Sequence, residues 1–361
     1  MVSTPTYTQA FWKRLRRNVG AMFGLVLILL SLLLAVFAYF IAPDNTTYAN
    51  RMNVEIGGMR PGFTMQYLQL KNELTTGSTP FFSRLLHGTR EVVKYLPVNA
   101  YAFTIDSCIV QKYIDEGVQE RQSFAIDQLS SKKIITRTYW AGTDKFGRDL
   151  LSRLIIGVRV SLSVGLIAVV ISISIGIILG SLAGYYRGWI DELVMWFINV
   201  IWSIPTLLLV FAITLLLGKG FWQVFIAVGL TMWVNVARLV RGQVLAVREL
   251  EYIEATRALG FPDSRIIVRH ILPNIMGPVM VIAASNFASA IVIEAGLSFL
   301  GIGVQPPQPS WGLMIKENYN FIITHNPMLA LAPGIAIMIL VLAFNLLGNG
   351  LRDALNVRGK L

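Results

Sequence analysis

The sequence predicts an all-α membrane protein of six transmembrane helices, with a small extracytoplasmic insertion of mixed structure after the first span. Three observations carry this. The chain is 55% hydrophobic and only 14% charged, with a mean hydropathy of +0.61. Soluble domains lie nearer roughly 45–50% apolar and about 25% charged. Six apolar runs, at about 19–42, 159–184, 193–217, 221–247, 275–301 and 328–349, reach the ~20 residues that cross a bilayer. Finally, Lys and Arg gather on one side of those runs.

The first run follows Lys13, Arg14, Arg16 and Arg17. Its apolar core exceeds the roughly 7–15 residues of a signal-peptide core, and no small-x-small cleavage site follows. Residues 1–42 are therefore expected to form a cytoplasmic tail and an uncleaved first span. Six spans put both termini on one side. That side's tails and short loops hold Lys13, Arg14, Arg16, Arg17, Arg187, Arg248, Arg257, Arg265, Arg269, Arg352, Arg358 and Lys360. The other side's short loops hold Lys219 and Lys316. The positive-inside bias predicts cytoplasmic termini. It also explains the net charge of +11 without invoking nucleic acid.

Residues 43–138 are polar, with scattered Phe and Tyr, and stay outside that count because long segments translocate whatever their charge. They are too many for a structureless loop, so a small domain is expected. Within it, "REVVKYL" and "QKYIDEGVQERQ" read as helical. Cys108 is the only cysteine, which excludes an intrachain disulfide; it reads as a small buried residue. Residues 139–361 hold the other five spans.

Between spans four and five, on the cytoplasmic side, residues 249–272 are unusually polar. Glu251 to Leu259 fits a helix with Tyr252, Ala255 and Leu259 on one face and Glu251, Glu254 and Arg257 elsewhere. Gly260 is placed as its C-terminal cap, at positive φ. Pro262 and Asp263 fit the first turn of a second helix. There Ile266, Ile267, His270 and Ile271 share a side, and Arg265 and Arg269 lie away from it. Pro273 is expected to start the next span. Two short helices hinged at a glycine make a compact knob.

The spacing Glu254-Ala255, four residues, Gly260, eleven residues, Leu272-Pro273 resembles the EAA signature of permease subunits in ABC importers. Thr256 stands where many members have a second Ala, and His270 where the general pattern has Ile. "RHILPN" is nonetheless the usual form in the dipeptide, oligopeptide and nickel branch. "GTDKFGRDLLSRLIIGVRVSLSVGL", "GYYRGWIDELV", "ARLVRGQVL" and "EAGLSFLGIGVQPPQPSWG" are similar to further blocks of its C-type subunits. The resemblance covers residues 139 to the C-terminus and the first span, not 43–138. Trp196 and Asn199 stand where the family often has Arg and Asp, so any ion pair made there is not carried over.

The resemblance implies a type I ABC importer permease core that moves di- or oligopeptides across the inner membrane. It implies that Glu254, Ala255, Gly260, Leu272 and Pro273 belong to a coupling helix seated on a separate ATPase. Implied partners are a homologous B-type permease subunit, two ATPase subunits and an extracytoplasmic substrate-binding protein. ATP and Mg would be bound by the ATPase subunits, with no cofactor in this chain. Nickel chelates and glycosides pass through the same branch and remain open as substrates.

Other classes fit poorly. Gly142 and Gly147 have P-loop spacing, but Arg148-Asp149 replaces the Lys-Ser/Thr that would hold phosphate and Mg²⁺. The predicted topology puts His270 on one side of the membrane and His87 and His325 on the other, so the three histidines cannot share a metal. An enzyme is not expected. A stand-alone channel or secondary carrier is the alternative from another class. Such proteins place charges or repeats within the membrane, and here Glu294 is the one acid well inside a span. Glu294 is expected to face a subunit interface or cavity, with a structural hydrogen bond. Arg238 and Arg241, one turn apart near the inner end of span four, suit orientation and snorkelling, with a gate as the second reading. Pro205 marks a kink in span three. Trp311 is expected on an outer interfacial or re-entrant helix.

Overall fold

The computed structural model describes residues 7–71, 80–89, 93–218, 220–323 and 326–355. Lys219, His325, Arg358, Lys360 and the first three residues of "REVVKYL" lie outside the described residues. The chain runs through α1 (Tyr7–Arg17), α2 (Val19–Val36), α3 (Ala38–Ile41), β1 (Phe63–Lys71) and α4 (Phe81–His87). Strands β2 (Val93–Phe103), β3 (Ser107–Asp115), β4 (Val118–Ala125) and β5 (Leu129–Tyr139) follow. Then come α5 (Leu150–Tyr186), α6 (Gly188–Trp202), α7 (Thr206–Leu217), α8 (Phe221–Arg248) and α9 (Glu251–Ala258). After α10 (Asp263–Arg265) and a π-helical turn (Ile266–Ile271), α11 (Leu272–Leu300), α12 (Trp311–Asn318) and α13 (Met328–Leu355) complete the order. Two compact units result. One comprises Met1–Leu32, Ser161–Gln305 and Ile337–Leu361; the other comprises Leu33–Val160 and Pro306–Ala336.

Among the described residues, five helices are long and apolar enough to span a membrane, and the pair α6–α7 supplies a sixth if counted as one span. That pair is the third span, expected over 193–217 with a kink at Pro205; the break falls there, and the helix starts earlier, at Gly188. The pair bends by 93° between Trp202 and Thr206. Pro205 caps α7 from outside, because it lacks an N–H and its ring would clash with the carbonyl one turn back. The fifth span is corrected. It does not begin at Pro273; helix runs from Asp263 to Leu300. The wider π turn stands immediately before the proline, where the missing donor would interrupt an α ladder.

Helix α5 packs on α8 through a stripe of glycines four residues apart. A Cβ at Gly176 would lie 2.5 Å from Val236 Cβ, and one at Gly180 would lie 2.5 Å from the Ala237 carbonyl oxygen. At Gly184 it would meet the Arg241 carbonyl oxygen at 2.8 Å. The two backbones are therefore in near contact. In lipid, association depends on such packing, because the surrounding tails are as apolar as the side chains.

The other unit holds a five-stranded antiparallel sheet in the order β4-β3-β2-β1-β5. The edge strands β4 and β5 are joined by only a 3₁₀ turn, Ile126–Gln128. One face of every strand meets in a single core: Leu68, Leu96, Val98, Cys108, Val110 and Leu129, with Phe124 and Ile134 packed on it. The sheet thus packs one face of all five strands around a shared core. The helical readings of "QKYIDEGVQERQ" and of the described end of "REVVKYL" are corrected: the first is the β3–β4 hairpin and the second opens β2. Helix-favouring Gln, Lys, Glu and Arg yield there to cross-strand pairing and burial. Cys108 is buried, as expected. On the opposite face the Tyr67 and Tyr139 hydroxyls lie 2.7 Å apart. Burial pushes both phenols up, so they bond as neutral groups.

The "GTDKFGRDLLSR" block is a turn leading into α5. Arg148 pairs with Asp144 at 2.6 Å and with Glu317 at 2.7 Å, and Arg153 lies 3.7 and 3.8 Å from the same two carboxylates. Two arginines against two acids leave the buried cluster neutral, which offsets much of the desolvation cost. Trp311 opens α12 in this unit, buried, and donates from Nε1 to the Leu154 carbonyl at 3.1 Å.

Gly180→Leu should reduce folded protein and lower the melting temperature in detergent, since overpacking costs about 1–3 kcal/mol or more where backbone blocks the side chain. Gly334→Leu, where a Cβ meets nothing within 4 Å, should be neutral. Equal melting temperatures for the two variants would mean that the stripe does not hold the helices together.

Candidate coupling surface and cavity

The knob is built on a buried back. In α9, Ile253 and Thr256 face inward, while Tyr252, Ala255 and Leu259 form an exposed stripe beside exposed Glu251 and Glu254. The expected face is thus present, but it looks outward. Inward, Ile253, Ile266, Ile267 and Ile271 share one core with Val236, Val240 and Val244 of α8 and Ile275 and Val279 of α11. Leu272 packs on that core, and Pro273 is exposed.

Gly260 ends α9 with φ at +75°. Its N–H donates to the Arg257 carbonyl at 2.9 Å, and the Phe261 N–H donates to the Thr256 carbonyl at 3.2 Å. Pro262 then caps α10. The hinge is braced from the side. The Tyr185 hydroxyl donates to Asp263 Oδ1 at 2.6 Å, and the Arg257 guanidinium sits 5.1 Å from the Tyr185 ring centroid. Phe261 stacks on His270 with centroids 6.0 Å apart, and Arg265 covers the Phe261 ring. Asn274 Nδ2 donates to the Tyr252 hydroxyl at 2.9 Å. Sequence reasoning missed Tyr185 and Phe261. Tyr185 stood in a quoted block, but nothing local links it to a residue so far along the chain.

A cavity of about 1050 Å³ opens between α7, α8, α11 and α13. Thr206, Thr231, Asn235, Gln243, Ser285 and Asn286 interrupt its apolar wall. Arg238 is the one charged residue among those lining it. Its guanidinium lies 3.6 Å from the Trp202 ring centroid and donates to Asn199 Oδ1 at 3.3 Å. Trp202 Nε1 donates in turn to Asn235 Oδ1 at 3.2 Å. Asn199 on α6 therefore serves Arg238. The other two residues considered for gate or cavity lie elsewhere. Arg241 is engaged by both oxygens of Asp191, with the Nη2–Oδ2 distance at 2.6 Å. Glu294 is buried within the bundle, where Ser298 Oγ donates to its Oε1 at 2.6 Å. The Val304 N–H donates to that Ser298 oxygen at 3.0 Å, which pins the turn after α11. Among the described residues, no group of three or more His, Cys, Asp or Glu could hold a metal.

Spanning helices around a mixed-polarity cavity, with a braced polar knob between two of them, define a membrane transport component. Residues 176–359 match the binding-protein-dependent transport system inner membrane component family, and the chain belongs to that family. Residues 6–55 match the N-terminal TM domain of oligopeptide transport permease C. The chain is 42% identical over 222 residues to the glutathione transport system permease protein GsiD of Pectobacterium atrosepticum, covering 62% of this chain and 73% of that one. The dipeptide transport system permease protein DppC of Alkalihalophilus pseudofirmus is 43% identical over 222 residues, 62% of this chain and 73% of its own. The oligopeptide transport system permease protein OppC of Bacillus subtilis is 40% identical over 228 residues, 63% of this chain and 74% of its own. Among solved structures, an inward-facing form of the MetNI methionine ABC transporter aligns with 57% of this chain and 97% of its own, at 20% identity and a TM-score of 0.48.

A Cβ at Gly260 would meet nothing within 4 Å, so the cost of Gly260→Val is conformational. It is about 1 kcal/mol or more at positive φ. Amide exchange should accelerate across 251–272 in the variant, while the melting temperature of the bundle stays near that of the parent. Unchanged exchange in this segment would show that the hinge does not need its left-handed residue.

Proposed function

We propose that this chain is a permease subunit of an ATP-driven importer carrying di- or oligopeptides across the inner membrane. Its 251–274 segment would couple it to a separate ATPase. One observation carries the reading: an exposed stripe of Tyr252, Ala255 and Leu259 stands on a knob whose back shares a core with two spanning helices. Such a knob cannot move alone. If it sits in an ATPase groove, closure of the ATPase drags α8 and α11 with it, and the cavity between them changes its opening. This is a rigid-body transition between two states. Glu254, Ala255 and Gly260 would form the contact and its hinge, with Leu272 and Pro273 carrying the motion into the span.

ATP and Mg would stay on the ATPase subunits, and this chain would hold no cofactor. A B-type permease subunit would close the cavity's open side, and an extracytoplasmic binding protein would deliver substrate. Both termini would be cytoplasmic, with the five-stranded sheet outside. The named relatives transport glutathione, dipeptides and oligopeptides, which differ in side chains but share amides and charged termini. A large cavity with neutral polar groups and one cation suits such a series and discriminates little within it. Specificity would then rest mainly with the binding protein.

Two measurements test this. Purification of the chain from its native membrane, followed by mass spectrometry, should recover an ATPase, a second permease and a binding protein carrying a peptide. Glu254→Lys should weaken ATPase recovery, and Gly260→Val should weaken it further, without lowering membrane levels. Undiminished recovery with both variants would remove the coupling role, and a nickel chelate or glycoside as ligand would replace the peptide. For orientation, a cysteine engineered at Gly117 on the β3–β4 turn should react with an impermeant thiol reagent in cells opened only at any outer membrane. Labelling solely after cytoplasmic access would reverse the topology.

A further inference from the structure

Helix α4 inverts the pattern of a water-facing helix. Phe81, Phe82 and Leu86 are 60%, 74% and 56% exposed. Arg84 is half-buried, with its guanidinium 4.6 Å from the centroid of the Phe40 ring. The Phe81 ring itself lies 5.4 Å from that of Phe40. A short helix over water would hide the phenylalanines and extend the arginine.

The exposure is not that of a loose end. Arg159, in the first turns of α5, donates from Nη1 to the Leu85 carbonyl at 3.0 Å. Gly88 closes the helix at a φ of +78°. The Thr89 N–H then donates to the Asn45 carbonyl at 2.8 Å, and its hydroxyl donates to Asn45 Oδ1 at 3.0 Å. The helix is fixed on its inner side and carries its apolar residues outward.

Its position says what covers them. Phe40 belongs to α3, which directly continues span one, and Arg159 belongs to the start of span two. Helix α4 is therefore held where one span ends and the next begins. The exposed row Leu33, Phe37 and Ile41 of span one and α3 leads to Phe40, on which α4 packs. The apolar face of α4 thus extends the exposed apolar surface of span one.

We propose that α4 lies on the bilayer surface, with Phe81, Phe82 and Leu86 inserted at the boundary between headgroups and acyl chains. Aromatic residues favour that layer, and short amphipathic helices bind there by their buried apolar area. The exposed His87 at its end would face the headgroups. The contact ties the segment between β1 and β2 to the membrane at a fixed height. The inference rests on α2 and α5 being spans.

Spin labels on single engineered cysteines decide it. Phe82→Cys, Leu86→Cys, Leu33→Cys within span one and Ile105→Cys on the β2–β3 turn, where Ile105 is 94% exposed, are labelled in the full importer complex. The native Cys108 is buried, and labelled parent protein supplies its background. The complex is placed in nanodiscs of phosphatidylethanolamine and phosphatidylglycerol, and each label's access to oxygen and to a water-soluble nickel chelate is measured. Positions 82 and 86 should resemble 33, with an oxygen-to-nickel ratio severalfold above that of 105. Ratios at 82 and 86 equal to that at 105 would overturn the proposal. So would shielding from both reagents, which would mean a protein partner covers α4. Water-like access at 33 would overturn the span assignment as well, which separates the two failures.

Discussion

The near contact of α5 and α8 is the constraint on which the helical unit depends. Dispersion between two atoms is small and falls off steeply with distance, so helices in lipid gain from association only when many atoms approach closely. Gly176, Gly180 and Gly184 allow that by presenting backbone to backbone. The consequences run along α8. Val236 and Val244 touch the glycine stripe, and together with Val240 they join Ile253 and Ile266 in the core behind the knob. One helix therefore carries both the tight membrane contact and the base of the proposed coupling surface.

Charge inside this protein is handled in three ways. Arg148 and Arg153 face Asp144 and Glu317, so their cluster is neutral although almost wholly buried. Arg241 is matched by Asp191 on the neighbouring α6. Among the described residues that line the cavity, Arg238 meets no carboxylate; it rests on the face of Trp202, which attracts the cation through its quadrupole, and donates to a neutral amide. A cation held this way keeps more of its field for whatever enters the cavity than one matched by an acid. Asn199 belongs to this arrangement, since its amide leaves the positive charge uncancelled.

Much of the helical part was legible in the sequence because its signals are local. A run of apolar residues needs no partner to be recognised. Gly260 between two short helices announces a left-handed residue, and the hinge is there. Pro205 announces a break by its missing N–H, though only the structure gives the bend of 93°. The insertion was misread because local preference pointed the wrong way. Gln, Lys, Glu and Arg at 111–122 favour helix, but Val110 and Cys108 are buried against strands β1 and β2, and pairing outweighs propensity. The glycines at 176, 180 and 184 were in plain view and were not read as a stripe, since their meaning depends on the helix facing them.

The sequence by itself determined the order of apolar runs, the basic asymmetry, the polar knob hinged at Gly260 and the family. Each follows from composition or from spacing within a few turns of helix, where one stretch of chain states its own requirement. Tertiary structure alone decided which way each face looks. Tyr252, Ala255 and Leu259 share a side by periodicity, but that side is outward only because Ile253 found α8 and α11. Arg238 reaches the cavity and Arg241 does not, although they stand one turn apart, because Trp202 and Asp191 sit on α6 at different heights. Glu294 is a brace for the turn after α11 because Ser298 and Val304 fold back onto it. These choices are contacts between distant parts of the chain, and no single stretch carries the information for both partners.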